Sequence, residues 1–103
     1  MKPVRKHAAA QRDIEEYAEY LFHDSPAASD RFFVSVEKSC GRLGEYPAIG
    51  RVSVEMDPLF GRVRSIAVDG FPNHLIFYEE SSADVVILRV VHGSMRLGPE
   101  LLP

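Results

Sequence analysis

The apolar positions of this chain change their period once, and the change divides it in two. In residues 8–22, Ala10, Ile14, Tyr17 and Leu21 recur at spacings of four, three and four, which lines them along one stripe of a helix. Arg12, Asp13, Glu15, Glu16 and Glu19 fall mostly off that stripe. Asp24-Ser25-Pro26 then breaks the helix and starts another, because Ser suits an N-cap and Pro suits the first helical position, where no amide donor is missed. Ala28, Phe32, Val36, Cys40 and Leu43 follow at four, four, four and three. Phe33 widens this second stripe as a core or core-edge aromatic, and Gly44 reads as a left-handed C-cap. Two helices joined by so few residues predict an antiparallel hairpin.

After Gly50 the period falls to 2. Val52, Val54 and Met56 alternate with Arg51, Ser53 and Glu55, the pattern of a strand with one buried face. Residues 57–61 are a turn signal, and residues 62–68 extend again with β-branched Val63, Ile66 and Val68, which predicts a hairpin. Turns at 69–73 and 81–84 separate two further runs, 74–79 and 85–92, and residues 2–6 suggest one more short strand. The predicted fold class is α+β: one domain over residues 1–103, an N-terminal helical hairpin packed on a mainly antiparallel β-sheet.

The last strand is apolar on both faces. Val86, Leu88 and Val90 alternate with Val85, Ile87 and Val91, yet two helices cover only one side of a sheet. Either the final ten residues, with Met95, Leu97, Leu101 and Leu102, fold over the second face, or a partner chain does. The pattern alone leaves both open.

Composition narrows the function classes. Apolar residues make up 46% and charged residues 26%, which suits a globular domain and not a disordered one. Twelve Lys and Arg stand against fifteen Asp and Glu, and acids outnumber bases in both halves, so no global basic field is available and direct DNA binding by this chain is not expected. Cys40 is the only cysteine, which excludes an intrachain disulfide and a multi-cysteine zinc site; it reads as an inert core thiol. No metal or other cofactor is expected. Apolar runs end within four residues and the basic start leads into a charged amphipathic segment, so neither a membrane span nor an export signal is read and the expected location is the cytoplasm.

Glycines are scattered singly, without a nucleotide loop or nucleophile elbow. What remains is a set of donors on the predicted sheet: Arg51, Arg62, Arg64, His74, Tyr78, Arg89, His92 and Arg96. Converged on one surface, such groups would stabilise a pentacoordinate phosphate and move protons in RNA cleavage. Dispersed, the arginines face solvent or a partner carboxylate, Tyr78 is a core-edge phenol and His92 caps a strand end.

The order and spacing of Ala10-x-x-Asp13-Ile14, Tyr17, Ala28 with Phe32, Leu43-x-x-x-Pro47-x-x-Gly50, Gly61-x-x-Arg64, Phe77-Tyr78 and Val90-x-His92-Gly93 resemble the ParE branch of the RelE/ParE toxin superfamily over nearly the whole chain. The resemblance implies the same helical hairpin and meander. It also implies the toxin of a type II toxin-antitoxin module, wrapped and neutralised by the C-terminal segment of a ParD-like antitoxin in a hetero-oligomeric complex. On that reading Val85, Ile87, Arg89 and Val91 are the expected antitoxin-binding residues. Arg62, Arg64, His92 and Arg96 are those expected for target binding or toxicity.

ParE-like members are associated with blocking DNA gyrase, whereas the RelE branch cleaves messenger RNA on the ribosome with a basic and aromatic residue set. Here Lys is missing after Lys38 and no Tyr follows Tyr78, which favours an inhibitor that binds gyrase over an enzyme. The alternative is a RelE-like endoribonuclease using His92, Tyr78 and the arginines. A third reading is a former toxin kept as an antitoxin-binding module. One departure from the family pattern is plain: its His-Gly is commonly followed by Arg-Asp, but Gly93 is followed by Ser94-Met95-Arg96-Leu97, which displaces the arginine by one and removes the acid.

Overall fold

Capping decides where the two helices begin and end. In the computed structural model, which describes residues 1–103, β1 (Val4–Lys6) runs into α1 (Ala8–Asp24), whose first turn is capped by His7 Nδ1 accepting the Ala9 amide at 3.0 Å. Ser25 serves both helices: its amide donates to the Leu21 carbonyl and closes α1, while its Oγ accepts the Ala28 amide at 3.2 Å and opens α2 (Pro26–Glu45). Pro26 stands at the start of α2, as the sequence predicts.

Gly44 is not the C-cap. It lies inside α2 without positive φ, and the helix runs on to Glu45. A Cβ at Gly44 would meet the Lys2 carbonyl oxygen at 2.8 Å and a Val4 methyl at 3.2 Å. Glycine is needed there so that the segment entering β1 can cross the helix closely, and Lys2 donates its amide to the Gly44 carbonyl at 3.0 Å. Phe33 also departs from expectation, being 41% exposed and turned away from the core that Phe32 enters.

The chain leaves the sheet at one edge and re-enters it at the other. The five strands are ordered β1-β5-β4-β3-β2, so the helical hairpin spans the sheet between its two edges. The meander β2 (Arg51–Val52), β3 (Val63–Val68), β4 (Phe71–Glu80) and β5 (Val85–His92) then returns to lie parallel to β1. All other strand pairs are antiparallel. The α+β class is as predicted.

The strand predicted for residues 51–56 shrinks to two residues. Met56 and Asp57 donate back to the Ser53 carbonyl at 3.2 and 3.1 Å, so the chain coils after Val52 and the inward positions become Ser53 and Met56. Val52 and Val54 are consequently exposed. Strand β4 starts at Phe71, earlier than its pattern suggested, because Gly70, with φ of 77°, completes the turn alone with Asp69.

A β-bulge reassigns the faces of β5. Tyr78 pairs with Ile87 but Phe77 with Arg89, leaving Leu88 as an extra residue. Val85 and Ile87 before it, and Val90 after it, point into the core beneath the helices, with Ala10, Ile14, Phe32, Val36, Leu43, Ile76 and Tyr78. Val91 therefore lies on the opposite face from Val85 and Ile87, contrary to strict alternation. It joins a second, smaller core of Met56, Val63 and Phe77, covered by Leu97, Leu101 and Leu102 of the C-terminal segment. Of the two covers that the pattern left open, the chain's own tail is seen here, shaped by a 3-10 turn at Pro99–Leu101. No helix is long and apolar enough to cross a membrane.

Candidate partner-binding surface

Two groups of polar side chains form on the sheet, at opposite ends of β4. Arg64 and Tyr78 are cross-strand partners at one end, His74 and His92 at the other. His74 and Tyr78 are four residues apart on the same strand, roughly 13 Å at the usual strand rise. The donors therefore do not converge.

The Tyr78 end is structural. Its side chain is fully buried, its hydroxyl donates to the Pro47 carbonyl at 2.7 Å, and its oxygen accepts the Gly50 amide at 2.8 Å. Arg64 Nη1 donates to the Gly50 carbonyl at 2.7 Å. Together they clamp the loop between α2 and β2, and a Cβ at Gly50 would sit 2.5 Å from the phenol oxygen. Burial pushes the Tyr78 phenol above its usual range, partly offset by its bond to Gly50 and by Arg64 nearby.

The histidine end is open on one side. His74 is buried, with the Tyr17 ring tilted against it at a centroid separation of 3.9 Å and Phe32 edge-on at 5.6 Å. Burial, and secondarily the neighbouring His92, hold its imidazole below the ordinary histidine range. His92 is exposed and meets His74 edge-to-face at 5.2 Å. Its Nδ1 accepts the Ser94 amide at 3.0 Å, so in the neutral ring the proton sits on Nε2.

Each nitrogen of Arg89 makes one bond. Its guanidinium forks onto Asp13 at 2.7 and 2.9 Å and donates to the Leu101 carbonyl at 2.8 Å, while Asp13 also accepts the Val90 amide at 3.0 Å. One ion pair thus ties α1, β5 and the tail together. Arg62 is exposed, its guanidinium 4.8 Å from the centre of the Phe60 ring, and Arg96 is exposed and forms no ion pair or hydrogen bond. Val85 and Ile87 are fully buried under the helices and Val91 under the tail, so in this conformation the chain's own helices and tail lie over all three. Cys40 is buried and its thiol is pushed up to about 11, chiefly by desolvation, in keeping with an inert core thiol.

Between α1 and the ends of β4 and β5 lies a cleft of about 330 Å³, lined by Asp13, Glu16, Tyr17, Tyr20, His74 and His92 among others. Sequence reasoning missed Glu16 and Tyr20. Their signal was present: they are four apart on α1, just off the apolar stripe, where an exposed tyrosine serves no core.

A family model described as the ParE toxin of the type II toxin-antitoxin system, parDE, matches residues 4–97. The chain belongs to the ParE toxin family. Among solved structures it is similar to a chain of the chromosomal ParDE TA system from P. aeruginosa, with a TM-score of 0.71 at 15% sequence identity over 89% of this chain and 96% of that one. At that identity the likeness is one of fold. No curated protein sequence matches the chain significantly. Within this ParE toxin the matched span includes the Asp13–Arg89 pair, both histidines of the cleft and Arg96, and stops before the 3-10 turn of the tail.

Proposed function

We propose that this ParE toxin arrests bacterial growth in the cytoplasm by binding DNA gyrase, and that a ParD-like antitoxin holds it inactive. The observation that carries a binding mode of action is the dispersal of the donor set. Tyr78 is enclosed, Arg64 and Arg89 are committed to carbonyls and to Asp13, and His92 stands a strand's length from Tyr78. General acid-base cleavage of RNA needs such groups around one phosphate.

The contact residues follow from what is free. Arg62, His92 and Arg96 are exposed and available to the target, while Arg64 acts indirectly by positioning the loop at Gly50. The antitoxin covers exposed apolar side chains of the helical hairpin, Phe22, Phe33 and Val34.

Induction of the chain alone in bacteria tests the reading. Early arrest of DNA synthesis with DNA breaks and intact transcripts is expected, together with inhibition of gyrase supercoiling by the purified chain and relief by antitoxin. Immediate loss of translation with cut messages would replace it by the ribonuclease reading, and growth without arrest by the retained binding module.

A further inference from the structure

The cleft beside His92 has a chemistry that the family assignment does not explain. Its wall is a run of aromatic rings: Tyr20 stacks on Tyr17 at 5.7 Å, Tyr17 lies tilted against His74 at 3.9 Å, and His74 meets His92 at 5.2 Å. Tyr20 is 64% exposed although a tyrosine face of that size is ordinarily placed against something. Two carboxylates line the cleft, and they differ. Asp13 has its charge met by Arg89 and its oxygens filled by Arg89 and the Val90 amide. Glu16 is exposed and has no hydrogen bond or ion pair, not even with Arg12 one turn earlier. Glu16 thus places a carboxylate with no direct partner beside the exposed Tyr20 ring, its charge felt by Arg89 across the cleft but bonded to nothing.

We propose that this cleft receives an arginine side chain presented by a partner polypeptide, its guanidinium lying on the Tyr20–Tyr17 face and forked onto the Glu16 carboxylate. Arginine fits because its planar cation stacks on an aromatic ring and matches a carboxylate with two parallel N–H donors, whereas lysine offers a point charge that does neither as well. A peptide-borne arginine fits better than the free amino acid. The free amino acid brings an α-carboxylate, and the one arginine lining the cleft, Arg89, already has its charge met by Asp13 and each of its nitrogens donating to Asp13 or the Leu101 carbonyl. The site uses the surface around His92 given above to target contact, and it stands whether or not that target is gyrase.

The test titrates Nα-acetyl-arginine amide into the full chain and follows the ring resonances of Tyr20 and His92 by NMR, with the blocked lysine and blocked citrulline amides as comparisons. Saturable shifts are expected for the arginine probe at roughly millimolar concentration. Binding should be weaker for lysine and lost for citrulline, which keeps the shape and discards the charge. Glu16→Gln should weaken the arginine probe about fivefold, the effect of losing one well-formed exposed ion pair. Citrulline binding as well as arginine, no saturable shift with arginine, or unchanged affinity in Glu16→Gln would each overturn the inference. The comparison of arginine with citrulline needs no variant, and both Glu16 and Tyr20 are exposed, so folding does not confound the result. A gyrase assay plays no part, so failure here leaves the proposed function untouched.

Discussion

Replacing Tyr78 with Phe removes one oxygen atom from the middle of the molecule and leaves the ring in place. That oxygen makes two hydrogen bonds, to the Pro47 carbonyl at 2.7 Å and from the Gly50 amide at 2.8 Å. Each is worth about 0.5–1.5 kcal/mol net, and a buried amide left without an acceptor costs about 1–3 kcal/mol. Gly50 is buried, so its amide has no route to water; Pro47 is half-buried and its carbonyl regains some solvent. The expected loss is therefore about 2–3 kcal/mol, a large share of the roughly 5–15 kcal/mol by which a domain of this size is stable. Urea denaturation measures it as a lower midpoint with an unchanged slope. A difference between wild type and variant should also depend on pH in one direction. The unfolded tyrosine ionises near its ordinary value of about 10 while the buried one holds its proton higher, so the contribution of Tyr78 is complete below about pH 10 and is lost as pH rises through the raised value. A loss under about 0.5 kcal/mol in Tyr78→Phe would refute the clamp.

Two glycines on one helix should respond oppositely to alanine. Gly41 has nothing within 4 Å of a would-be Cβ and Gly41→Ala should stabilise by about 0.5–1 kcal/mol, whereas Gly44→Ala forces a Cβ to 2.8 Å from the Lys2 carbonyl and should lower the melting temperature. His74 is held below its ordinary pKa, so the unfolded chain takes up a proton first: its contribution is complete above about pH 6.5 and fades as pH falls through the depressed value. Thermal melts between pH 7 and 5 should thus fall less steeply for His74→Leu than for wild type. Arg89→Lys keeps the charge and loses the fork onto Asp13 and the Leu101 carbonyl; amide exchange should speed up in the tail relative to β4, and equal protection of the tail in both proteins would show that the fork does not hold it.

The helical hairpin was legible in the sequence because what fixes it is local. Ser25 and Pro26 set the break within a few residues, and the spacing from Ala10 to Leu43 follows the helical period whatever surrounds it. The strands at 63–68 and 85–92 and the α+β class came from the same kind of short-range regularity, and the likeness to ParE toxins from the order of such pieces along the chain. The tertiary structure decided what depends on residues far apart in the chain. Leu88 is an extra residue only relative to β4, so no pattern within β5 announces the bulge that turns Val91 away from Ile87. Gly44 is required by a backbone arriving from Lys2, not by the end of its own helix. Whether Arg64, Tyr78, His74 and His92 share one site depended on register across three strands, and the pairing separates them into a loop clamp and a cleft. Periodicity tells which way a side chain points from its own element; only the packing of one element on another tells what it meets there.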